Sequence, residues 1–156
     1  MSKRAVNLLR KMAVPALHNT SNAGGIYNKW LSKTADYTVL ESDIGAVIQV
    51  NPAATTLIQL PAASDVGAGW HCSVIIDEED GGTMDQIVNI GTASGEFFTG
   101  LIIGGDAGGS VVANGTSNAF INCTVSATSG ERFDFVSTGT QMHCVGIAID
   151  VSDTLF

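Results

Sequence analysis

From residue 37 onward the chain is a series of short β-rich runs separated by turn residues, and this pattern restricts the fold more than any other feature. Residues 133–135 and 145–151 alternate with the period of two that is typical of a β-strand. No stretch after residue 36 has the spacing of a long helix. We therefore predict an all-β chain of about eight to ten strands. The predicted strands are 37–40, 46–50, 55–60, 72–76, 87–90, 97–103, 110–113, 119–125, 133–136 and 142–151.

The turn residues between these runs indicate how successive strands connect. Asn114-Gly115, with apolar residues on both sides, predicts a type I′ hairpin turn. The related segments 47–50 and 57–60 are interpreted as the two sides of another hairpin. Strands at this spacing favour a β-sandwich, a jelly-roll-like fold or a small barrel.

The charged residues divide the chain into two blocks. Residues 1–35 hold six of the seven basic residues and no acidic one, a formal charge of +6. Residues 36–156 hold all fifteen acidic residues and only Arg132, a formal charge of −14. Residues 2–14 have the apolar spacing of a short amphipathic helix that Pro15 would end. We predict an extended basic N-terminal arm, residues 1–35, followed by an acidic β-sandwich domain, residues 36–156.

A basic arm on an acidic domain is typical of an assembling protein and less typical of a self-contained enzyme. The arm has too little apolar area to fold alone, so it would pack either on its own β-domain or across neighbouring subunits. The second arrangement is favoured because the attraction between the basic arm and the acidic domain acts between molecules as well as within one chain. Six dispersed charges on a chain with so acidic a domain do not favour nucleic acid as a partner. The predicted partner-binding residues are Arg4, Arg10, Lys11, Tyr27, Trp30 and Lys33.

Two segments resemble functional motifs without completing them. Residues 105–110 resemble the Gly-Asp-Ser-Gly-Gly of trypsin-like proteases, but Ala107 occupies the nucleophile position and alanine cannot attack a carbonyl. Residues 77–80 form the densest acidic run, which we interpret as a solvated turn. A docking surface for a neighbour's basic arm and a calcium site are the alternatives for that run. Neither segment predicts a catalytic residue.

The cysteines and their neighbouring histidines suggest a zinc site at first sight. Adjacent residues of a strand point to opposite faces, however, so each His-Cys pair could supply only one ligand to a site, and no Cys-x-x-Cys spacing occurs. We therefore predict buried free thiols, no metal, no cofactor and no enzymatic activity. The residues concerned are His71, Cys72, Cys123, His143 and Cys144.

Membrane insertion and export are not predicted. No run of about 18 apolar residues occurs that could span a membrane. The apolar stretch near the N-terminus is interrupted by Arg10 and Lys11, so it lacks the apolar core of a secretion signal.

Residues 37–76 contain a series of motifs in order: Tyr37-Thr38-Val39, Asp43-Ile44-Gly45, the β-run 47–50, Thr56-Leu57-Ile58-Gln59-Leu60-Pro61, Gly67, Gly69 and Val74-Ile75-Ile76. This series resembles the "Asp-x-Gly … Leu-Pro … Gly" β-modules of bacteriophage tail-fibre and head-decoration proteins. The resemblance implies a β-sandwich or barrel that is present in many copies on a virus particle, often as a trimer. It implies no catalytic residues.

We therefore expect a non-enzymatic structural protein of a bacteriophage virion, made in the host cytoplasm and located on the capsid surface. The favoured role is that of a capsid decoration (cement) protein, whose arm binds the major capsid protein and which contacts copies of itself as a homotrimer. The alternative is a tail-fibre, spike or tail-tip component that is anchored by the arm and binds a host receptor through the β-domain. A glycan-cleaving enzyme would need a carboxylate pair in a cleft, which this size and composition do not favour.

Overall fold

The computed structural model describes residues 29–77, 86–93, 96, 98–104, 111–113, 120–123, 130–148 and 154–155. These residues are mostly β-strand, with one short helix, α1 (Ala63–Val66), and a 3-10 turn, Glu41–Asp43. No helix among them is long and apolar enough to cross a membrane. The strands are β1 (Lys29–Lys33), β2 (Tyr37–Thr38), β3 (Ala46–Val50), β4 (Thr56–Gln59), β5 (Ala68–Ile76), β6 (Val88–Gly91), β7 (Phe98–Gly104), β8 (Val111–Ala113), β9 (Phe120–Cys123), β10 (Arg132–Thr138), β11 (Met142–Ala148) and β12 (Thr154–Leu155).

The strands form two sheets. Sheet A has the strand order β1-β3-β5-β10-β11-β7-β8, and sheet B has the order β12-β9-β6-β4-β2. From β1 to β6 the chain alternates between the sheets, and each strand pairs in parallel with the strand two positions earlier. A parallel pair requires a crossover connection. Here the crossover is a strand of the other sheet, so this part of the chain winds as a coil between sheet A and sheet B.

The later strands add antiparallel pairs to both sheets. In sheet A, β10 pairs antiparallel with β5 and with β11, whereas β11 pairs in parallel with β7. In sheet B, β9 pairs antiparallel with β6 and β12. Both sheets are therefore mixed, and the parallel ladders are a feature that the strand pattern did not predict.

Both hairpin predictions are wrong about strand pairing. Segment 47–50 lies in β3 and residues 57–59 lie in β4, and these two strands belong to different sheets, because β1 and β5 already occupy the two edges of β3. The strands on either side of Asn114-Gly115, β8 and β9, also lie in different sheets, and β9 has its edges filled by β6 and β12. The Asn114-Gly115 turn itself lies outside the described residues.

Two glycines form corners where the chain passes into sheet A. Gly45 has φ 72° just before β3, and its N–H donates to the carbonyl of His71 at 2.7 Å. Gly67 has φ 73° just before β5, and its N–H donates to the carbonyl of Ala63 at 3.0 Å. Positive φ values of this kind strain any residue with a Cβ, so glycine is favoured at both corners.

One hydrophobic core receives side chains from both sheets. The inward positions of sheet A supply its largest members, Trp70, Phe98, Phe133 and Phe135. Ile58, Ile90 and Ile121 from sheet B belong to the same buried cluster. The rings of Phe98 and Phe135 are tilted at 40° with centroids 5.4 Å apart, a distance at which aromatic rings attract one another.

The mostly β architecture is confirmed, and each predicted strand overlaps an observed one. Two observed strands, β1 and β12, were not predicted. β1 lies within the segment that was predicted to be an N-terminal arm, and it pairs in parallel with β3 along the edge of sheet A. Residues 1–28 of the predicted arm lie outside the described residues.

Candidate interaction surface

Two of the predicted partner-binding residues, Trp30 and Lys33, lie on strand β1. Alternation along this strand points Trp30 to the outer face of sheet A and Lys33 to the opposite side. The indole of Trp30 donates to Gln49 Oε1 at 3.1 Å, and the residue is 60% exposed. Lys33 Nζ lies 3.5 Å from the centroid of the Tyr37 ring. Trp30 is therefore open to a partner, whereas Lys33 is already used within the chain.

The other predicted partner-binding residues, Arg4, Arg10, Lys11 and Tyr27, lie outside the described residues. Of the predicted residues that the structure describes, it brings Trp30 and Lys33 into one element and places them on opposite sides of that element.

A buried carboxylate, Asp43, fixes the position of β1. Its side chain is fully buried and forms an ion pair with Lys29 of β1. Tyr37 Oη donates to Asp43 Oδ2 at 2.6 Å, and the N–H of Leu40 donates to the same oxygen at 3.0 Å. Burial alone would raise the pKa of Asp43, but the bonds from Lys29, Tyr37 and Leu40 outweigh it and hold the pKa below its usual range. Asp43 is thus an ionised structural anchor for the first strands of both sheets.

The Tyr37–Asp43 contact predicts a pH dependence of stability in alkaline solution. Burial, the hydrogen bond to Asp43 and the charge of that carboxylate raise the pKa of Tyr37 to about 12, from 10.0. Between these values the unfolded chain releases the tyrosine proton and the folded chain keeps it, so the stability falls as the pH rises. We expect the thermal unfolding midpoint to fall more steeply between pH 10 and 12 in the wild-type protein than in Tyr37→Phe. Equal slopes in the two proteins would contradict this assignment.

The outer face of sheet A carries a polar network on β5 and β10. Arg132 Nη2 lies 2.9 Å from Asp134 Oδ1, and Arg132 Nε lies 3.0 Å from the same oxygen. Ser73 donates its hydroxyl to Asp134. Since one cation and one anion are paired here, this part of the face has no net formal charge.

Beside this network lies an apolar part of the outer face of sheet A. β11 alternates strictly, with Met142, Cys144, Gly146 and Ala148 buried and the residues between them exposed. The exposed set includes two large apolar side chains, and strands β7 and β10 add others on the same face. Ile103, Val136, Val145 and Ile147 are 45% to 57% exposed, and Leu101 is partly buried among them. We call these five residues the outer stripe: Leu101, Ile103, Val136, Val145 and Ile147.

Sequence reasoning missed the outer stripe as a surface. The signal was the segment 142–148, in which one set of alternate positions holds Met142, Cys144 and Ala148 and the other holds Val145 and Ile147, so that a strand there has apolar side chains on each face.

The three thiols lie in the core, whereas the histidines next to Cys72 and Cys144 lie on the other face of sheet A. Cys72, Cys123 and Cys144 are free and buried, as predicted, and burial raises the pKa of each thiol, which keeps it protonated. His143 lies on the outer face, where its Nδ1 is 2.9 Å from the Thr99 hydroxyl. Within the described part of the chain, no group of three or more His, Cys, Asp or Glu residues could hold a metal ion.

The two other candidate motifs are largely outside the described residues. Residues 105–110 are not described, and of the acidic run 77–80 only Asp77 is. Gln49 Nε2 donates to Asp77 Oδ2, so this carboxylate contacts the outer face of β3. The interpretation of that run as a turn, docking surface or calcium site stays a prediction.

Comparison with other proteins gives no family for this chain. No protein-family model matches it, and no curated protein matches it.

Proposed function

We propose that this chain is a non-enzymatic structural protein of a bacteriophage particle, and specifically a capsid decoration protein. The observation that carries the proposal is the segregation of charge, with +6 on residues 1–35 and −14 on residues 36–156. Opposite charges held in separate blocks favour contacts between molecules, because the basic block of one copy is attracted to acidic surfaces on its neighbours.

The proposed mechanism is additive. The basic N-terminal segment binds the major capsid protein, and the acidic β-domain faces solvent or receives the segment of an adjacent copy. Each copy bridges neighbouring capsomers through a modest contact area. Many such contacts together resist the pressure of the packaged DNA, because avidity multiplies weak individual affinities.

Features of the β-domain support the proposal. We propose that sheets A and B form a β-sandwich, since side chains of both contribute to one buried cluster. Among the motif residues that resemble the phage β-modules, Gly45 and Gly67 occupy corners of this domain. A β-domain with exposed apolar side chains on one sheet is typical of a protein that binds other proteins.

The test is amine cross-linking with mass spectrometry on intact particles. Every lysine lies in the basic block, at Lys3, Lys11, Lys29 and Lys33. Because Lys29 pairs with Asp43 and Lys33 lies over Tyr37, we expect Lys3 and Lys11 to give the most links to the major capsid protein. Links only to tail proteins would instead support a tail-fibre, spike or tail-tip component. Links only within the chain would contradict both roles.

A pair of charge variants sharpens this test. Arg10→Glu with Lys11→Glu should strongly reduce the number of copies bound per particle, because both changes reverse charges of the basic block. Thr140→Glu is the control for negative charge added outside the basic block, since it lies at an exposed turn of the β-domain. Equal occupancy of the three proteins would contradict binding through the basic block.

A further inference from the structure

Strand β11 is apolar on its inner face and, beyond His143, on its outer face as well. Met142, Cys144 and Ala148 point into the core, while Val145 and Ile147 point outward and are 56% and 57% exposed. A strand with water on one side normally alternates apolar and polar residues, and apolar residues on both sides are typical of a strand that is covered twice. The outer face of β11 at Val145 and Ile147 therefore has the composition of a covered surface.

The neighbouring strand extends this apolar surface. Val145 is the cross-strand partner of Leu101 and Ile147 is the partner of Ile103, so four apolar side chains form a block across β11 and β7. Val136 of β10 lies diagonally beside Val145, which is paired with Asp134. The outer stripe is thus contiguous, in contrast to single apolar residues scattered over a surface.

The charges around the stripe indicate what kind of molecule covers it. Arg132 and Asp134 border the stripe and neutralise each other at 2.9 Å. Residues 36–156 carry a formal charge of −14, so the acidic β-domains of two copies repel one another wherever their charged surfaces meet. A neutral apolar surface is the kind that two such chains can bring together without opposing like charges.

We propose that copies of this chain contact one another through the outer stripe. The occupant of the stripe is a second copy, since the surface is electrostatically compatible with itself, whereas an acidic or basic partner would find no charge to pair with. This inference rests on the proposed function in one respect, namely that decoration places many copies side by side. The contact itself exists in the purified protein.

The experiment is sedimentation velocity of the purified full-length chain over a range of concentrations. The wild-type protein should sediment as a multiple of the single-chain mass of 16.1 kDa. Ile147→Glu should raise the dissociation constant at least roughly tenfold, because it places like charges opposite each other in the contact. Thr140→Glu, which adds the same charge at an exposed turn, should leave the wild-type mass unchanged.

A second variant distinguishes loss of the contact between copies from loss of the fold. Val145→Thr with Ile147→Thr keeps β-branched side chains on β11 and removes apolar surface, so it should also shift the mass toward the single chain. A wild-type protein that stays a single chain at every concentration would overturn the inference, as would stripe variants that keep the wild-type mass. Either result would leave the cross-links to the capsid protein unaffected, so the failure of this inference is distinguishable from the failure of the proposed function.

Discussion

Replacement of Asp43 with alanine should lower the free energy of unfolding by about 3 kcal/mol. The carboxylate is fully buried and accepts bonds from Lys29, Tyr37 and the N–H of Leu40. In the alanine variant these three donors lose their acceptor. The Lys29 side chain is 39% exposed and can be solvated by water, so the donors left without a hydrogen-bond acceptor are mainly Tyr37 Oη and the N–H of Leu40.

Urea denaturation of Asp43→Ala, with hydrogen exchange on the same protein, would measure this effect. Because Lys29 anchors β1 to Asp43, the amides of β1 should lose protection before those of β10. Asp65→Ala is the matched control, since Asp65 is an exposed aspartate in α1, and its unfolding free energy should stay within about 0.5 kcal/mol of the wild-type value. An Asp43→Ala protein as stable as the control would contradict the anchoring role.

The sequence predicts the strands well and their partners poorly, and β3 shows why. Its pattern is visible over 46–50 because strand formation depends on local alternation. Its partners are set by contacts with distant residues, such as the bond from the Gly45 N–H to the His71 carbonyl. A pattern of period two carries no information about which sheet a strand joins. The parallel winding between sheets was therefore not predictable from the runs themselves.

The same limit applies to the candidate surface. The segment Asp43-Ile44-Gly45 has the residues of a turn, and the structure forms a turn there. The burial of the Asp43 carboxylate, however, depends on its pairing with Lys29, which is fourteen residues earlier in the chain. On β11, hydrophobicity alone would turn Val145 inward. Gly146 takes the inward position instead, because an added Cβ there would lie 2.5 Å from Cδ1 of Phe133. Gly146 is the cross-strand partner of Phe133, and with Gly146 inward the alternation of the strand places Val145 and Ile147 on the outer face.

Replacement of Gly100 with alanine should destabilise the protein by about 3–5 kcal/mol. Gly100 lies on β7 opposite Cys144 and has φ 146°, a conformation that residues with a Cβ rarely adopt. An added Cβ would lie 1.8 Å from the carbonyl oxygen of Cys144. Because that atom belongs to the backbone of β11, no side-chain rotation can relieve the overlap, and β7 must move away from β11.

The adjacent substitution Thr99→Ala is the matched control, because Thr99 has a partly exposed side chain whose hydroxyl contacts His143. It should cost about 0.5–1 kcal/mol, measured by urea denaturation alongside Gly100→Ala. β7 also carries Leu101 and Ile103 of the outer stripe, so its displacement should weaken the contact between copies as well as the fold. A Gly100→Ala protein that keeps both the stability and the sedimentation behaviour of the control would show that β7 does not approach β11 this closely.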